Sequence, residues 1–324
     1  MALVFRRIFS ATFVFFALFC TRIEAVAQFD SQFSQNMFNP LVFNPGYAGN
    51  SGRVNVTAAN RQQWVGIEGA PTATVVGADM STFLLGSPAG VGLVLVNEEV
   101  GFFNTLQISG VLSRRFELDE SVLSAGVSLG LVNQVFDASK VVVAPGGSDY
   151  HKPDDPAIFG EEENGTTADI GFGAAWVHPR FHAGISVLHL FAPKPNFKHQ
   201  LPVYLPRSFF FSAGYVHQME ERPIAWRPSV LIKNSGPSWQ FDVNMLALFR
   251  DKYWAGLGWR LQDAVLLMAG LEIGNGIRAG YSYNISTSAL GRAGSGGSHE
   301  IMLGYTFDLS LGKRNMRYKS VRFL

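Results

Sequence analysis

The residue types that carry catalysis are present in this chain but never assembled. Seven histidines occur, at His151, His178, His182, His189, His199, His217 and His299, and none sits in an HExxH pattern. No GxSxG elbow accompanies the serines, so no motif pairs a nucleophile with a base. The single cysteine, Cys20, lies in the N-terminal apolar run. Histidines near strand ends of a barrel face the lumen or the interface, and the expectation is a protein with no catalytic residue, no metal and no cofactor. The stretch 133–167 gathers Asp149, Asp154, Asp155, Glu161, Glu162 and Glu163. Calcium loops space their carboxylates regularly. This run does not, so a solvated, adaptable loop is the better reading.

Two other stretches carry recognition chemistry. Arg61–Gly66 reads RQQWVG. Arg61 offers a planar donor fork, Gln62 and Gln63 both donate and accept, and Trp64 brings a large apolar face with one N–H. Such a set suits a peptide or protein contact, or packing of a neighbouring segment. That neighbour is Gln32–Gly49, QFSQNMFNPLVFNPGYAG. Its Asn39-Pro40 and Asn44-Pro45 steps fix φ, remove two N–H donors and push each asparagine away from helix. Gly46 adds a turn signal beside Pro45, and Gly49 allows a second reversal. Phe33, Met37, Phe38, Leu41, Val42, Phe43 and Tyr47 are too apolar for a free tail. The segment is expected to be ordered, non-helical and docked within reach of Arg61–Trp64. Candidate partner-binding residues are therefore Asn39, Pro40, Asn44, Pro45, Gly46, Tyr47, Gly49, Arg61, Gln62, Gln63 and Trp64.

The elements that must position these residues follow from address and periodicity. Arg6-Arg7, the apolar run Ile8–Phe19 and Ala25-Val26-Ala27 form a secretory signal. Cleavage after Ala27 would make Gln28 the mature N-terminus. Phe19 is too bulky to precede a lipidated cysteine. Net charge is +1 with 16% charged residues, which argues against nucleic acid as a partner. Aromatics make up 13%, mean hydropathy is positive, and nothing after the signal is long enough for a membrane helix. An exported, greasy, helix-poor chain calls for a closed outer-membrane barrel.

Alternation supports this. Leu123, Ala125, Val127, Leu129 and Leu131 alternate with Ser124, Gly126, Ser128 and Gly130. Ile277–Ser286 and His299–Leu309 repeat the pattern, an apolar face against a polar or glycine face. The many strand glycines suit barrel bends or the close approach of a segment in the lumen. Strands are expected at 53–60, 72–81, 89–97, 104–116, 121–132, 168–178, 181–190, 207–217, 226–234, 238–250, 253–261, 264–274, 276–286 and 298–309. Long connections (133–167, 191–206, 287–297) fall at one end and tight turns at the other, as in outer-membrane barrels. The fold class is all-β: a transmembrane antiparallel β-barrel of about fourteen strands with an N-terminal plug or clamp segment. The chain divides into 1–27 signal peptide, 28–52 lead-in, 53–309 barrel and 310–324 basic tail, the last carrying Lys313, Arg314, Arg317, Lys319 and Arg322.

The lead-in, of the form QFSQxMFNPxxxNPxYAG, and Arg61–Pro71, RQQWVGxxGAP, resemble the PorP/SprF family of outer-membrane proteins of the type IX secretion system. The resemblance implies a non-enzymatic component that supports export or surface anchoring of secreted cargo. Its implied partners are outer-membrane lipid, periplasmic proteins of the secretion and gliding machinery, and a secreted cargo protein. Against this stands a passive porin for small solutes. Fold alone decides neither.

Overall fold

The computed structural model describes residues 30–137, 139, 162–198, 203–289 and 294–308. The expected signal peptide, Cys20, Gln28, Asp149, Asp154, Asp155, Glu161 and the basic tail lie outside them. Strands β1 (Val54–Gln62), β2 (Thr72–Leu84), β3 (Ser87–Val100), β4 (Phe103–Leu118), β5 (Ser121–Asp137), β6 (Glu162–His178) and β7 (Phe181–Leu188) form the first half of the wall. The second half is β8 (Ser208–Tyr215), β9 (His217–Gln218), β10 (Ile224–Ser235), β11 (Ser238–Phe249), β12 (Tyr253–Arg260), β13 (Ala264–Glu272), β14 (Ile277–Ser286) and β15 (Ser298–Phe307). Both β8 and β9 pair with β10. They are one barrel strand broken at Val216, whose N–H donates instead to the Arg180 carbonyl at 2.6 Å.

Every strand pairs antiparallel with its neighbours, and β15 closes on β1 from Val54↔Phe307 to Gln62↔His299. The result is a closed fourteen-strand barrel. Closure leaves no sheet edge running the length of the wall, which is what a lipid environment requires of strands. The ends of β1 and β15 share one mouth with the tight turns at 85–86, 119–120 and 179–180. In outer-membrane barrels that is the periplasmic, inner mouth. The outward ends of β1, β5, β7 and β14 lie at the outer one.

The period-two faces fall as the sequence implies. Leu129 and Leu131 are each 60% exposed on the outer wall, while Ser128, next to Leu129, is buried. We expect Leu129→Arg to cost about 2–4 kcal/mol if the site lies near the bilayer midplane. Ser128→Arg should be milder, because Ser128 lines a lumenal cavity that can take the side chain. Urea unfolding of the two variants in lipid checks this, and equal damage would contradict the inside–outside assignment.

Two expectations need correction. The hairpin β5–β6 is longer than the alternation suggests: Asp137 pairs with Glu162, and Phe136 with Glu163. Those two glutamates are strand residues, and the expected loop 133–167 shrinks accordingly. The lead-in is not wholly non-helical either. It forms three 3-10 turns, Asn36–Phe38, Pro40–Val42 and Pro45–Tyr47. Pro40 and Pro45 open the second and third, where a missing N–H costs nothing and φ is already set. Asn39 (φ −138°, ψ 60°) and Asn44 (φ −147°, ψ 106°) are held out of the helical region before them, and so each turn stops short of an α-helix.

Candidate functional site

The lead-in lies against inward-facing residues all round the barrel. At Arg53 it reaches the inner mouth, where the guanidinium forms a two-pronged pair with Asp308, both bonds at 2.7 Å. From there back to Asp30 it passes the wall in steps, each fixed by side chains.

Nearest the inner mouth, the Gly49 N–H donates to Asp79 Oδ2 at 2.7 Å and the Ala48 carbonyl accepts from Ser113 Oγ at 2.8 Å. Gly49 holds φ +72°, and a Cβ there would also strike Gly90 and Met80. Further along, the Gly46 carbonyl accepts from Ser124 Oγ (2.6 Å) and Asn50 Nδ2 (3.2 Å). Asn44 is 1% exposed. Its Oδ1 accepts the Gly46 N–H at 2.8 Å, closing an Asx-type turn, while Nδ2 donates to the carbonyls of Ala174 and Ile185. Tyr47 OH meets Ser212 Oγ at 3.2 Å, and burial pushes its phenol up to about 12.

The wall is glycine where the lead-in comes closest. A Cβ on Gly90 would overlap the Ala48 carbonyl, on Gly126 that of Pro45, on Gly173 the Asn44 amide, and on Gly184 both Asn44 and Tyr47. These strand glycines make room for a second backbone. The apolar side chains fill the remaining space. Phe38, Leu41, Phe43 and Ala48 are buried, with Phe38 4.7 Å from Trp254 and Phe43 5.8 Å from Phe210, centroid to centroid. Each large side chain so buried is worth roughly 1.5–3 kcal/mol.

Towards the outer mouth the fastening becomes ionic. The carboxylate of Glu300, fully buried on β15, accepts the N–H groups of Ser34 (2.6 Å) and Gln35 (2.9 Å). Arg61 on β1 donates to Ser34 Oγ at 2.8 Å and stands 3.6 Å from Glu300. Asp30 is held between His189 (2.9 Å) and Lys233, whose ammonium donates to the Asp30 carbonyl at 2.8 Å. His189 in turn sits 3.0 Å from Asp169.

Burial opposes ionisation of Asp30, but the charges of Lys233 and His189 outweigh it and hold the carboxyl below the ordinary carboxylate range. Burial likewise opposes the His189 imidazolium, yet Asp30 and Asp169 overcome it and push the ring up to about 10. A raised pKa stabilises below the unfolded value and loses its contribution as pH climbs through the folded one. Protection of the Asp30 end against hydrogen exchange should therefore be full near pH 6 and fade as pH rises towards 10. Asp30→Asn should lower it at neutral pH. A pH-independent profile would show that the charges do not fasten the segment.

Of the residues singled out from sequence, Arg61 meets the lead-in as expected, and Asn39, Pro40, Asn44, Pro45, Gly46, Tyr47 and Gly49 build it. Gln62 does not join them: it is exposed, opposite His299 and Thr72. Gln63 donates its N–H to the Pro71 carbonyl and Trp64 its own to Ser298 Oγ, placing both at the outer rim beside a cavity. Sequence reasoning missed Glu300, Asp30 and Lys233. The available signal was a lone carboxylate on the inward face of an otherwise apolar last strand. His189 was assigned only to a strand end.

Two cavities flank the lead-in. The outer one, about 540 Å3, is bordered by Trp64, Glu98, Lys233 and Arg260. The inner one, about 770 Å3, is bordered by Arg53, Asp79, Arg227 and Glu272. Asn36, Asn39, Leu41 and Phe43 line both. Among the described residues no group of His, Cys, Asp and Glu is placed to hold a metal ion.

A closed antiparallel barrel with an apolar outer wall is an outer-membrane β-barrel protein. Residues 25–305 match the family model described as type IX secretion system membrane protein PorP/SprF, and the chain belongs to that family. No curated protein matches it. Among solved structures it is similar to Omp33 of Acinetobacter baumannii, at 8% identity and TM-score 0.44, covering 81% of this chain and 100% of that one. It is also similar to the CymD monoaromatic hydrocarbon channel, at 11% identity and TM-score 0.47, covering 84% and 99%. The toluene transporter TbuX of Ralstonia pickettii aligns at 9% identity and TM-score 0.46, covering 84% and 92%.

Proposed function

We propose that this barrel is a non-enzymatic, non-conducting adaptor of type IX secretion. In this reading the lead-in plugs the lumen, and the protein supports export or surface anchoring of cargo by linking it to periplasmic secretion and gliding proteins. The observation that carries the reading is the continuous set of side-chain bonds from Arg53 to Asp30, which leaves one cavity on each side of the segment. A segment tied to both halves of the lumen narrows any path for solutes through it. The buried Asn44 and Arg61 serve to hold the plug, whereas Gln62, Gln63 and Trp64 at the outer rim are accessible to cargo. The paired charges Asp30–His189–Asp169 are committed to fastening rather than to proton transfer.

The test is conductance. Purified full-length protein in a planar bilayer should stay closed at neutral pH, and cross-linked membranes should yield periplasmic secretion proteins with it. Steady ohmic channels from the unmodified protein, with no such proteins co-purifying, would instead establish the porin reading.

A further inference from the structure

The inner cavity is bordered by a cation that the barrel itself does not use. Arg227 lies near the inner end of β10, on the face shared with Ala225 and Lys233, both buried. It hydrogen-bonds to no described residue, and its Nε is shut away without an acceptor. Glu272 on β13 is the carboxylate whose charge reaches it most, but Glu272 already stands 3.6 Å from Arg278. Ser229, the next residue on the same face, has a buried Oγ that also lacks a hydrogen-bond partner.

The surroundings make this costly. Phe38 and Leu41 of the lead-in and Leu248 of β11 border the same cavity and belong to one buried apolar cluster. A guanidinium kept beside such side chains without a bonded anion is paid for in stability, and a buried group left unsatisfied calls for an explanation. Two more groups at the cavity want partners: Asn39 Nδ2, a donor, and Asn50 Oδ1, an acceptor. A main-chain amide carries the complement of both. The way in is from the periplasm, because the turns at 251–252 and 275–276 frame the cavity at the inner mouth. Its volume, about 770 Å3, takes the end of a peptide but no folded domain.

We propose that the inner cavity receives the free C-terminus of a periplasmic protein of the secretion machinery, its terminal carboxylate seated on the Arg227 guanidinium and the Ser229 hydroxyl. The arginine fork matches a carboxylate in two parallel bonds, which a lysine cannot reproduce. The apolar floor takes the last side chain, and Asn39 and Asn50 take the main chain behind it. The inference rests on the adaptor reading and deepens it, by giving the periplasmic partner a place to hold. That place touches the plug, since Phe38, Asn39 and Asn50 all belong to the lead-in.

The test uses the purified full-length barrel and a pool of hexapeptides of randomised sequence, made once with free C-termini and once with C-terminal amides. The free-acid pool should be retained about tenfold or more over the amide pool. Arg227→Met should abolish that preference while the barrel keeps or gains heat resistance, because an unpaired charge has been removed. Arg227→Lys, which keeps the charge and loses the fork, should fall between. Equal retention of the two pools, or of the free-acid pool by parent and Arg227→Met, would overturn the proposal. So would dodecanoate or inorganic phosphate binding at Arg227 where no peptide does, since the site would then serve a fatty acid or a simple anion. If Arg227→Met still co-purifies with periplasmic proteins at the parental level, this site falls and the adaptor reading stands. If no periplasmic protein accompanies even the unmodified chain, both fall.

Discussion

Removing Gln32–Gly49 should leave a barrel that still assembles but no longer exports cargo, and that now passes ions. The ladder closes through β1 and β15 without help from the lead-in, and this is why the wall should survive. Its stability should nevertheless drop. Val75, Val94, Leu246, Leu248 and Met302 pack with Phe38 and Leu41 in one cluster and would face water. Losing the burial of Phe38, Leu41 and Phe43 alone costs several kcal/mol at roughly 1.5–3 kcal/mol each. The readouts are heat-modifiable mobility for assembly, single-channel current for opening and secreted cargo for function. Normal export from the deleted protein would reduce the segment to a spacer. Failure to enter the membrane would make it a structural core and remove the main support for the adaptor reading.

The second large effect is expected at Glu300. Glu300→Ala removes the acceptor of two buried N–H groups and the carboxylate nearest Arg61, itself 2% exposed. Breaking a buried ion pair by deleting one partner costs about 3–5 kcal/mol, because the other charge is stranded. Glu300→Gln keeps one acceptor oxygen and should lie between. Exchange of the Ser34 and Gln35 amides should accelerate before the barrel itself unfolds. An unfolding free energy for Glu300→Ala within about 0.5 kcal/mol of the parent would mean that solvent already reaches this site.

The wall was legible because one face is lipid and the other is not. Leu123 through Leu131 announce a strand, its phase and its outward side in nine residues. The upper ends of β5 and β6 were invisible for the same reason: around Asn133-Gln134 and Thr166-Thr167 both faces are polar, so alternation stops while pairing continues. The lead-in betrayed itself through two prolines and too many aromatics. Its partners did not. Ser34 and Glu300 are separated by 266 positions, and Asp30 and His189 by 159. A single sequence shows which face a charged side chain takes but not what waits across the lumen.

The place of Glu300 has a consequence for assembly. It lies on the final strand, and its companion Arg61 lies on the first, so the two meet only when the seam between β15 and β1 is zipped. The lead-in emerges ahead of all fourteen strands, yet its anchor at Glu300 cannot exist until the last one arrives. Contacts of such sequence separation form late, after the intervening loops have been closed. Seating of the Ser34–Gln35 end therefore works as a checksum on the barrel: a mis-registered or unfinished ring offers it no carboxylate.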